Sequence, residues 1–484
     1  MPTLADLFPE ATGPAAARPV SGVSADSRTV RPGGVFVAVP GAKADGILFA
    51  ADAARAGAVA VVGGAPRPAD LDAAVAYLRV PDPRRALALA AARFHPGQPE
   101  RVVAVTGTSG KSSVADFARQ LYAALGLSSA SLGTLGIVTG EGAGYGGLTT
   151  PDPVALHETL DRLARDGIAR LVMEASSHGI EQRRLDGVRL AAVGFTNLGR
   201  DHLDYHGTVE AYRAAKLRLF RELAPDGATA VINADGADAA PFREAASARG
   251  LRVVTTGRAG ADLTLLDASA EGFGQRLRIR AAGAEREAAF PLLGAFQVEN
   301  ALVAAGLVLA TEGEGRLDAV LSAFADLKGV PGRLEKVGEV DGAVCIVDYA
   351  HKPDALEHVL DALRPFARGR LVCVFGCGGD RDRGKRPIMG RIAVEKADTV
   401  VVTDDNPRTE VPAAIRAEIL AAAPGAREIG DRAEAIRTAV AELRPGDVLV
   451  IAGKGHETGQ IVGERTLPFS DHAVARAAIA ERMG

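Results

Sequence analysis

One segment restricts this chain more than any other. The strand-like run Arg101-Val102-Val103-Ala104-Val105 leads straight into Thr106-Gly107-Thr108-Ser109-Gly110-Lys111-Ser112-Ser113, with a helical pattern behind it. Strand, glycine-rich turn, Lys-Ser and helix in that order describe a phosphate-binding loop. The common form, G-x-x-x-x-G-K-[ST], has a glycine where this chain has Val105. The remainder is intact. Gly107 and Gly110 let backbone N–H groups close on phosphate oxygens, and the following helix N-terminus favours negative charge. Lys111 would reach the β/γ-phosphates, and the Ser112 hydroxyl would hold a magnesium ion. An ordinary Gly-Ser turn before a helix does not require this order, so ATP or GTP binding is the first expectation.

At 484 residues the chain exceeds a single core and suggests about three domains. Residues 1–98 mix short strands (Val35–Val39, Ala58–Val62) with a helix at Phe49–Ala56 and end in the linker-like His95-Pro96-Gly97-Gln98-Pro99. From 99 to 330, apolar runs at 101–105, 171–173, 192–195 and 229–232 alternate with helical patterns, the βαβ signature of a mostly parallel sheet. A second hinge candidate, Lys328-Gly329-Val330-Pro331-Gly332-Arg333, precedes a last block, 331–484, with strands at Val344–Val347, Arg370–Phe375, Thr399–Thr403 and Asp447–Ala452. The expected class is α/β in three domains: a small N-terminal α/β domain, a central domain built on a mostly parallel phosphate-loop sheet, and a last block that again alternates strands and helices.

Composition excludes several roles. A net charge of −4 without a basic stripe argues against nucleic acid as a partner. No uncharged apolar run reaches the length of a membrane span, and Met1–Glu10 carries acids where a secretory signal has bases. Cys345, Cys373 and Cys377 lack zinc spacing and are expected as buried, reduced thiols of a cytoplasmic protein.

Four polar loops follow the strands of the last block: Asp348–Asp354, Gly376–Arg386, Asp404–Arg408 and Gly453–Glu457. In an open α/β sheet ligands bind beyond the carboxyl ends of the strands, so charged loops converging there favour a site over solvated turns. Gly376–Arg386 is not a dinucleotide fingerprint, because its Asp and Arg residues stand where a pyrophosphate needs bare backbone. In the central block, Glu174 ends a strand and His202 lies beside Asp201 and Asp204. Both are candidate metal contacts, although magnesium prefers oxygen. Lys216 reads only as a lysine in a helical stretch.

Taken together, TGTSGKSS, EASSHG, GRDHLDYHG with its downstream AAK, DYAHKPDAL, GCGGDRDRGKRP, DDNPR and GKGHE resemble the Mur ligase family over essentially the whole chain. The resemblance implies a uridine-nucleotide domain, a central ATP domain and a C-terminal Rossmann-like domain for the incoming amino acid. It implies ATP-driven amide formation on the D-glutamyl γ-carboxylate of UDP-MurNAc-L-Ala-D-Glu, with 2,6-diaminopimelate as the amine and magnesium as cofactor. By resemblance, Ser27, Thr149, Thr150, Ser176, Gln182 and Arg184 hold the UDP-MurNAc-dipeptide. Gly107, Thr108, Ser109, Gly110, Lys111, Ser112 and Ser113 hold ATP with Asn300, Arg333 and Asp348. Ser112, Glu174, His202 and a carbamylated Lys216 hold metal, and Lys111, Lys216 and His202 are the catalytic set. Arg381, Asp405, Asn406, Pro407, Arg408, Gly453 and Glu457 take diaminopimelate. Arg381 and Arg408 suit a carboxylate and Glu457 an ammonium, and diaminopimelate carries both at its distal end.

The chain departs from the family pattern in places. Ser109 and Ser112-Ser113 replace Asn and Thr-Thr, Lys352 replaces Thr, and Asp45-Gly46-Ile47 lacks a following His. Relatives with the DNPR motif also accept lysine or ornithine, which stay as alternative amines. The base for the amine is either phosphate or a loop histidine such as His202. The expected protein is a monomer whose domains close about 95–99 and 328–333. Rival readings are a sister ligase and a phosphate-loop switch, and neither accounts for DNPR with GKGHE.

Overall fold

The computed structural model describes all residues except 42, 43, 141, 145–147, 237 and 484. The chain packs as two compact units. The first comprises Met1–Leu265, Arg280–Glu285 and Glu299–Ala323. The second comprises Leu266–Ile279, Arg286–Val298 and Phe324–Gly484. Among the described residues, no helix is long and apolar enough to cross a membrane.

Three main sheets follow the three sequence blocks. The N-terminal sheet is parallel, with β1 (Val23–Ser24), β2 (Val35–Ala38), β3 (Ala60–Gly63) and β4 (Ala76–Arg79) in that order. The linker that follows is anchored in the first unit. Gly97 N–H donates to Asp161 at 3.0 Å, and the Gln98 amide exchanges hydrogen bonds with the Arg189 backbone.

The central sheet contains β5 (Arg101–Thr106), β6 (Ser129–Gly133), β7 (Gly136–Thr139), β8 (Gly142–Gly144), β9 (Arg170–Glu174), β10 (Leu190–Phe195), β11 (Thr229–Asn233), β12 (Arg252–Gly257), β13 (Leu263–Glu271), β14 (Gly274–Ala281) and β15 (Ala284–Phe290). Its order is β15-β14-β13-β12-β11-β10-β5-β9-β6-β7-β8. β5 lies between β10 and β9, parallel to both, so the carboxyl ends of these three strands share one edge. That edge carries the phosphate loop, Glu174 and Thr196–Gly199.

The last sheet, in the second unit, runs β16-β17-β21-β18-β19-β20, with β16 (Glu335–Val340), β17 (Ala343–Asp348), β18 (Leu371–Phe375), β19 (Thr399–Val402), β20 (Arg427–Glu428) and β21 (Val448–Ala452). A hairpin, β22 (Gly459–Val462) and β23 (Arg465–Pro468), follows. Successive side chains of a strand face opposite sides. Val344, Ile346, Cys373 and Phe375 therefore enter one core, while Cys345, Val347, Val372 and Val374 enter the other. A strand buried on both faces reads as the continuous apolar run seen in the sequence. β17, β21, β18 and β19 are parallel, which brings the four polar loops to one edge as expected. The three cysteines are buried and unpaired, and burial pushes each thiol up to about 12.

Candidate active site

Val105 in the glycine's place is explained by the sheet. β5 continues through Thr106, and Val105 is fully buried between Gly194 of β10 and Glu174 of β9. The chain leaves the sheet at Gly107, where a Cβ would overlap the Thr196 hydroxyl. Gly110 caps the helix Lys111–Ala124 in the left-handed region at φ +85°, and a Cβ there would overlap the Asn300 side chain. Asn300 is thus packed against the phosphate loop.

The loop is held from the β10 side. Thr108 N–H donates to the Asn197 carbonyl at 2.9 Å, and Ser109 N–H donates to Asn197 Oδ1 at 3.0 Å. The Thr196 hydroxyl donates to the Ser109 carbonyl at 2.6 Å. Its N-cap, Gly110, brings no capping side chain to the Lys111–Ala124 helix, whose first N–H groups and dipole favour negative charge.

Lys111 Nζ donates to the carbonyls of Gly107 and Thr108, both at 2.9 Å. Lys216, from the helix Val209–Arg218, donates to the same Gly107 carbonyl at 2.7 Å and lies 4.5 Å from the Tyr212 ring centre. It is 1% exposed. Burial, reinforced by the neighbouring Lys111 charge, holds its ammonium well below the usual lysine range.

Glu174 is the hub of the first unit. Its carboxylate accepts from the Ser112 hydroxyl at 2.8 Å and from Thr134 N–H at 2.9 Å. Thr134 Oγ1 meets Thr149 Oγ1 at 3.1 Å. Thr150 donates to the Glu174 carbonyl at 2.9 Å and lies 3.1 Å from the Ser176 hydroxyl. Arg184 donates to the Thr150 carbonyl and to Gln182, whose amide donates to the Tyr205 hydroxyl at 3.0 Å. Five residues expected to hold the sugar-peptide are therefore linked to Glu174: Thr149 to its carboxylate through Thr134, and Thr150, Ser176, Arg184 and Gln182 to its backbone carbonyl. Ser27 lies apart in the N-terminal sheet, opening a turn after β1 that the Asp26 side chain caps.

His202 stands at φ +53°, 3.5 Å from Asp201 and edge-on to His178 at 4.8 Å. His178 also meets Tyr205 and His206. Burial lowers the ring pKa of both His178 and His206. Among the described residues, no three His, Cys, Asp or Glu side chains are grouped as a ready metal site. Ser112 with Glu174 nevertheless fits magnesium, which takes one or two protein oxygens and fills its shell with phosphate and water.

In the second unit, Asp348 accepts from the N–H groups of Leu334 and Ala350, both at 2.7 Å, and burial raises its carboxyl pKa. Arg333 lies over the Tyr349 ring at 4.8 Å. Asn406 and Glu457 meet at 2.9 Å, and Arg408 donates to the carbonyls of Gly379 and Asn406. Arg408 holds φ +51°, fixed by backbone bonds to Ile461 and Gly463. Asp405 is buried beneath Gly453, and burial raises its pKa against the opposing charges of Arg432 and Lys454. Pro407 stands between Asn406 and Arg408, and Arg381 is exposed, donating to the Asp380 carbonyl.

Comparison with known proteins decides the family. The profile of the Mur ligase family catalytic domain matches residues 19–95, that of the Mur ligase middle domain 105–308, and that of the glutamate ligase domain 332–455. The chain belongs to the Mur ligase family. The UDP-N-acetylmuramoyl-L-alanyl-D-glutamate–2,6-diaminopimelate ligase of Bradyrhizobium diazoefficiens is 58% identical over 472 residues, 97% of this chain and 96% of that one. The ligase of the same name from Mesorhizobium japonicum is 58% identical over 480 residues, 99% of each chain. A solved structure of a ligase of that name superposes with a TM-score of 0.76 at 34% identity, covering 100% of this chain and 99% of that one.

This Mur ligase contains site residues that sequence reasoning did not select. Thr196 and Asn197 position the phosphate loop, Thr134 joins Glu174 to Thr149, and Tyr205 ties down Gln182. Asn197 was within reach of the strand-edge rule, since it follows β10 directly. Lys454 lies inside the Gly453–Glu457 loop, yet in its buried position it donates to Asn406, 48 residues away. No local pattern announces that contact.

Proposed function

We propose that this Mur ligase joins 2,6-diaminopimelate to the D-glutamyl γ-carboxylate of UDP-MurNAc-L-Ala-D-Glu, with cleavage of ATP to ADP and phosphate. The convergence of Arg408, Asn406 and Glu457 at one sheet edge carries the reading. A planar cation and an oriented carboxylate stand together there, matching a substrate end that bears both a carboxylate and an ammonium. Residues 1–98 serve the uridine nucleotide, 99–330 serve ATP, and 331–484 serve the amino acid.

A γ-carboxylate oxygen attacks the γ-phosphorus, the bond to ADP breaks, and an acyl phosphate forms. Lys111 and the N–H groups at the start of its helix stabilise the transferring phosphoryl group. Thr149, Thr150, Ser176, Gln182 and Arg184 orient the sugar-peptide, with Ser27 on the nucleotide side. The neutral amine then adds to the acyl carbon, the carbon–oxygen bond breaks, and phosphate leaves with the former carboxylate oxygen. The amine's proton passes to phosphate or to His202.

Ser112 and Glu174 would hold one magnesium ion, and His202 with a carbamylated Lys216 a second. When bound, magnesium neutralises charge on the phosphates. A buried Lys216 of lowered pKa supplies the neutral amine that carbon dioxide requires. The carbamate so formed would be an anionic oxygen ligand beside Lys111. Asn300, Arg333 and Asp348 complete the ATP set.

Mass spectrometry of reactions containing UDP-MurNAc-L-Ala-D-Glu, ATP, magnesium and one diamino acid at a time tests the assignment. Diaminopimelate should give the amide product fastest. A faster product with lysine or ornithine would overturn the choice of amine, and no amide with any of the three would overturn the ligase reading.

A further inference from the structure

The loop after β21 contains a charged side chain that the proposed reaction leaves unused. Lys454 is fully buried. Its ammonium donates to Asn406 Oδ1 at 2.9 Å and pairs with Glu457 Oε2 at 3.1 Å. Asn406 Oδ1 also accepts from Ile461 N–H at 2.9 Å. Two donors on that oxygen allow the amide only one orientation, because the amide nitrogen cannot accept. Asn406 Nδ2 is thereby turned to Glu457 Oε2, at 2.9 Å.

Glu457 Oε2 thus takes two donors from the interior, while the carboxylate as a whole stays one-third exposed at 33%. Oε2 is held from within, and the side chain keeps exposure through which a ligand's ammonium can approach. A carboxylate on a free side chain would lose rotamer entropy on meeting an ammonium, and this one has lost it in advance. Nearby, Arg432 is hydrogen-bonded to Asp471 at 2.7 and 2.8 Å and acts on Glu457 through its charge, while Lys454 touches Glu457 directly.

We infer that Lys454 is a positioning residue for the diamino acid: acting directly and through Asn406, it presets Glu457 as the acceptor for the substrate's distal ammonium. The inference rests on the diaminopimelate site proposed above. Lys454→Met keeps the length and packing of the stem but leaves Glu457 Oε2 and Asn406 Oδ1 each one donor short, so some loss of stability accompanies it and is read separately by melting.

The test is steady-state kinetics on the full-length enzyme for the wild type, Lys454→Met, Glu457→Gln and the double variant, with all three substrates varied and thermal melting recorded. Lys454→Met should raise the diaminopimelate KM about tenfold or more, with the KM for ATP and for the UDP-dipeptide within about twofold. In the Glu457→Gln background the same substitution should add less than about twofold, because the group it positions is already gone. An unchanged diaminopimelate KM, or an equal rise in both backgrounds, overturns the inference. If Lys454→Met does not fold, Lys454→Gln, which keeps a polar donor without the charge, is measured in the same two backgrounds and must show the same diaminopimelate-specific rise. Glu457→Gln leaving that KM unchanged would overturn the site itself and the inference with it.

Discussion

Lys111 and Lys216 donate to one acceptor, their ammonium nitrogens lying 2.9 and 2.7 Å from the Gly107 carbonyl oxygen. Two cations on one carbonyl cannot both keep their protons cheaply, and the buried one yields. The folded pKa of Lys216 lies well below 10.5. Between that lowered value and 10.5 the unfolded chain binds the proton and the folded chain does not, so stability rises with pH across the interval. Melting in carbonate-free buffer should show the rise in the wild type and a flatter slope in Lys216→Met. With labelled bicarbonate, a carbamate carbon signal should appear in the wild type alone, and Lys216→Met should lose roughly a hundredfold or more in kcat.

Acid should unfold the first unit partly through His157. Its ring is buried, with Nε2 3.3 Å from the Asp186 carbonyl, and burial lowers its pKa to about 4 from 6.5. Unfolded chains take up the proton between those values, so stability falls as pH drops from 6.5 to 4, by roughly 3 kcal/mol at most. Melting temperature against pH should be shallower over that window in His157→Gln than in the wild type.

Gly110→Ala should weaken nucleotide binding about tenfold or more, measured by calorimetry with ADP. Two causes act there: the overlap with Asn300 and the left-handed backbone at φ +85°. Removing Asn300 relieves only the first. The double variant Gly110→Ala, Asn300→Ala should therefore remain impaired.

Arg408→Ala should raise the diaminopimelate KM by about tenfold to a hundredfold while leaving ATP affinity within about twofold. Equal loss of both would contradict the assigned role. Because Arg408 holds φ +51°, Arg408→Gly should be at least as stable as Arg408→Ala while sharing its kinetic defect.

Much of the fold was legible because the buried parallel strands are β-branched runs. Val102–Val105, Val344–Val347 and Val448–Ala452 announce themselves, and their carboxyl ends locate the polar loops. β6, Ser129–Gly133, did not, since its sequence SASLG has no apolar run although every residue is buried. β13–β15 alternate buried and charged residues along hairpins that the parallel pattern does not lead one to expect. Phosphate-loop chemistry could be read from spacing alone. Lys216 could not, because its helix carries little sequence asymmetry and only the Gly107 carbonyl and Tyr212 ring reveal its burial. The linker at 95–99 read as a hinge, whereas Gly97 and Gln98 bind Asp161 and Arg189, contacts invisible to local composition.

The central claim is that ATP activates the D-glutamyl γ-carboxylate as an acyl phosphate. Isotope transfer tests it most directly. With both oxygens of that carboxylate replaced by the heavy isotope, the full reaction with ATP and diaminopimelate should release inorganic phosphate carrying one heavy oxygen per amide formed. Phosphate release should also stop when either the UDP-dipeptide or the amino acid is omitted. Unlabelled phosphate, or release that continues without the amine, would contradict the account.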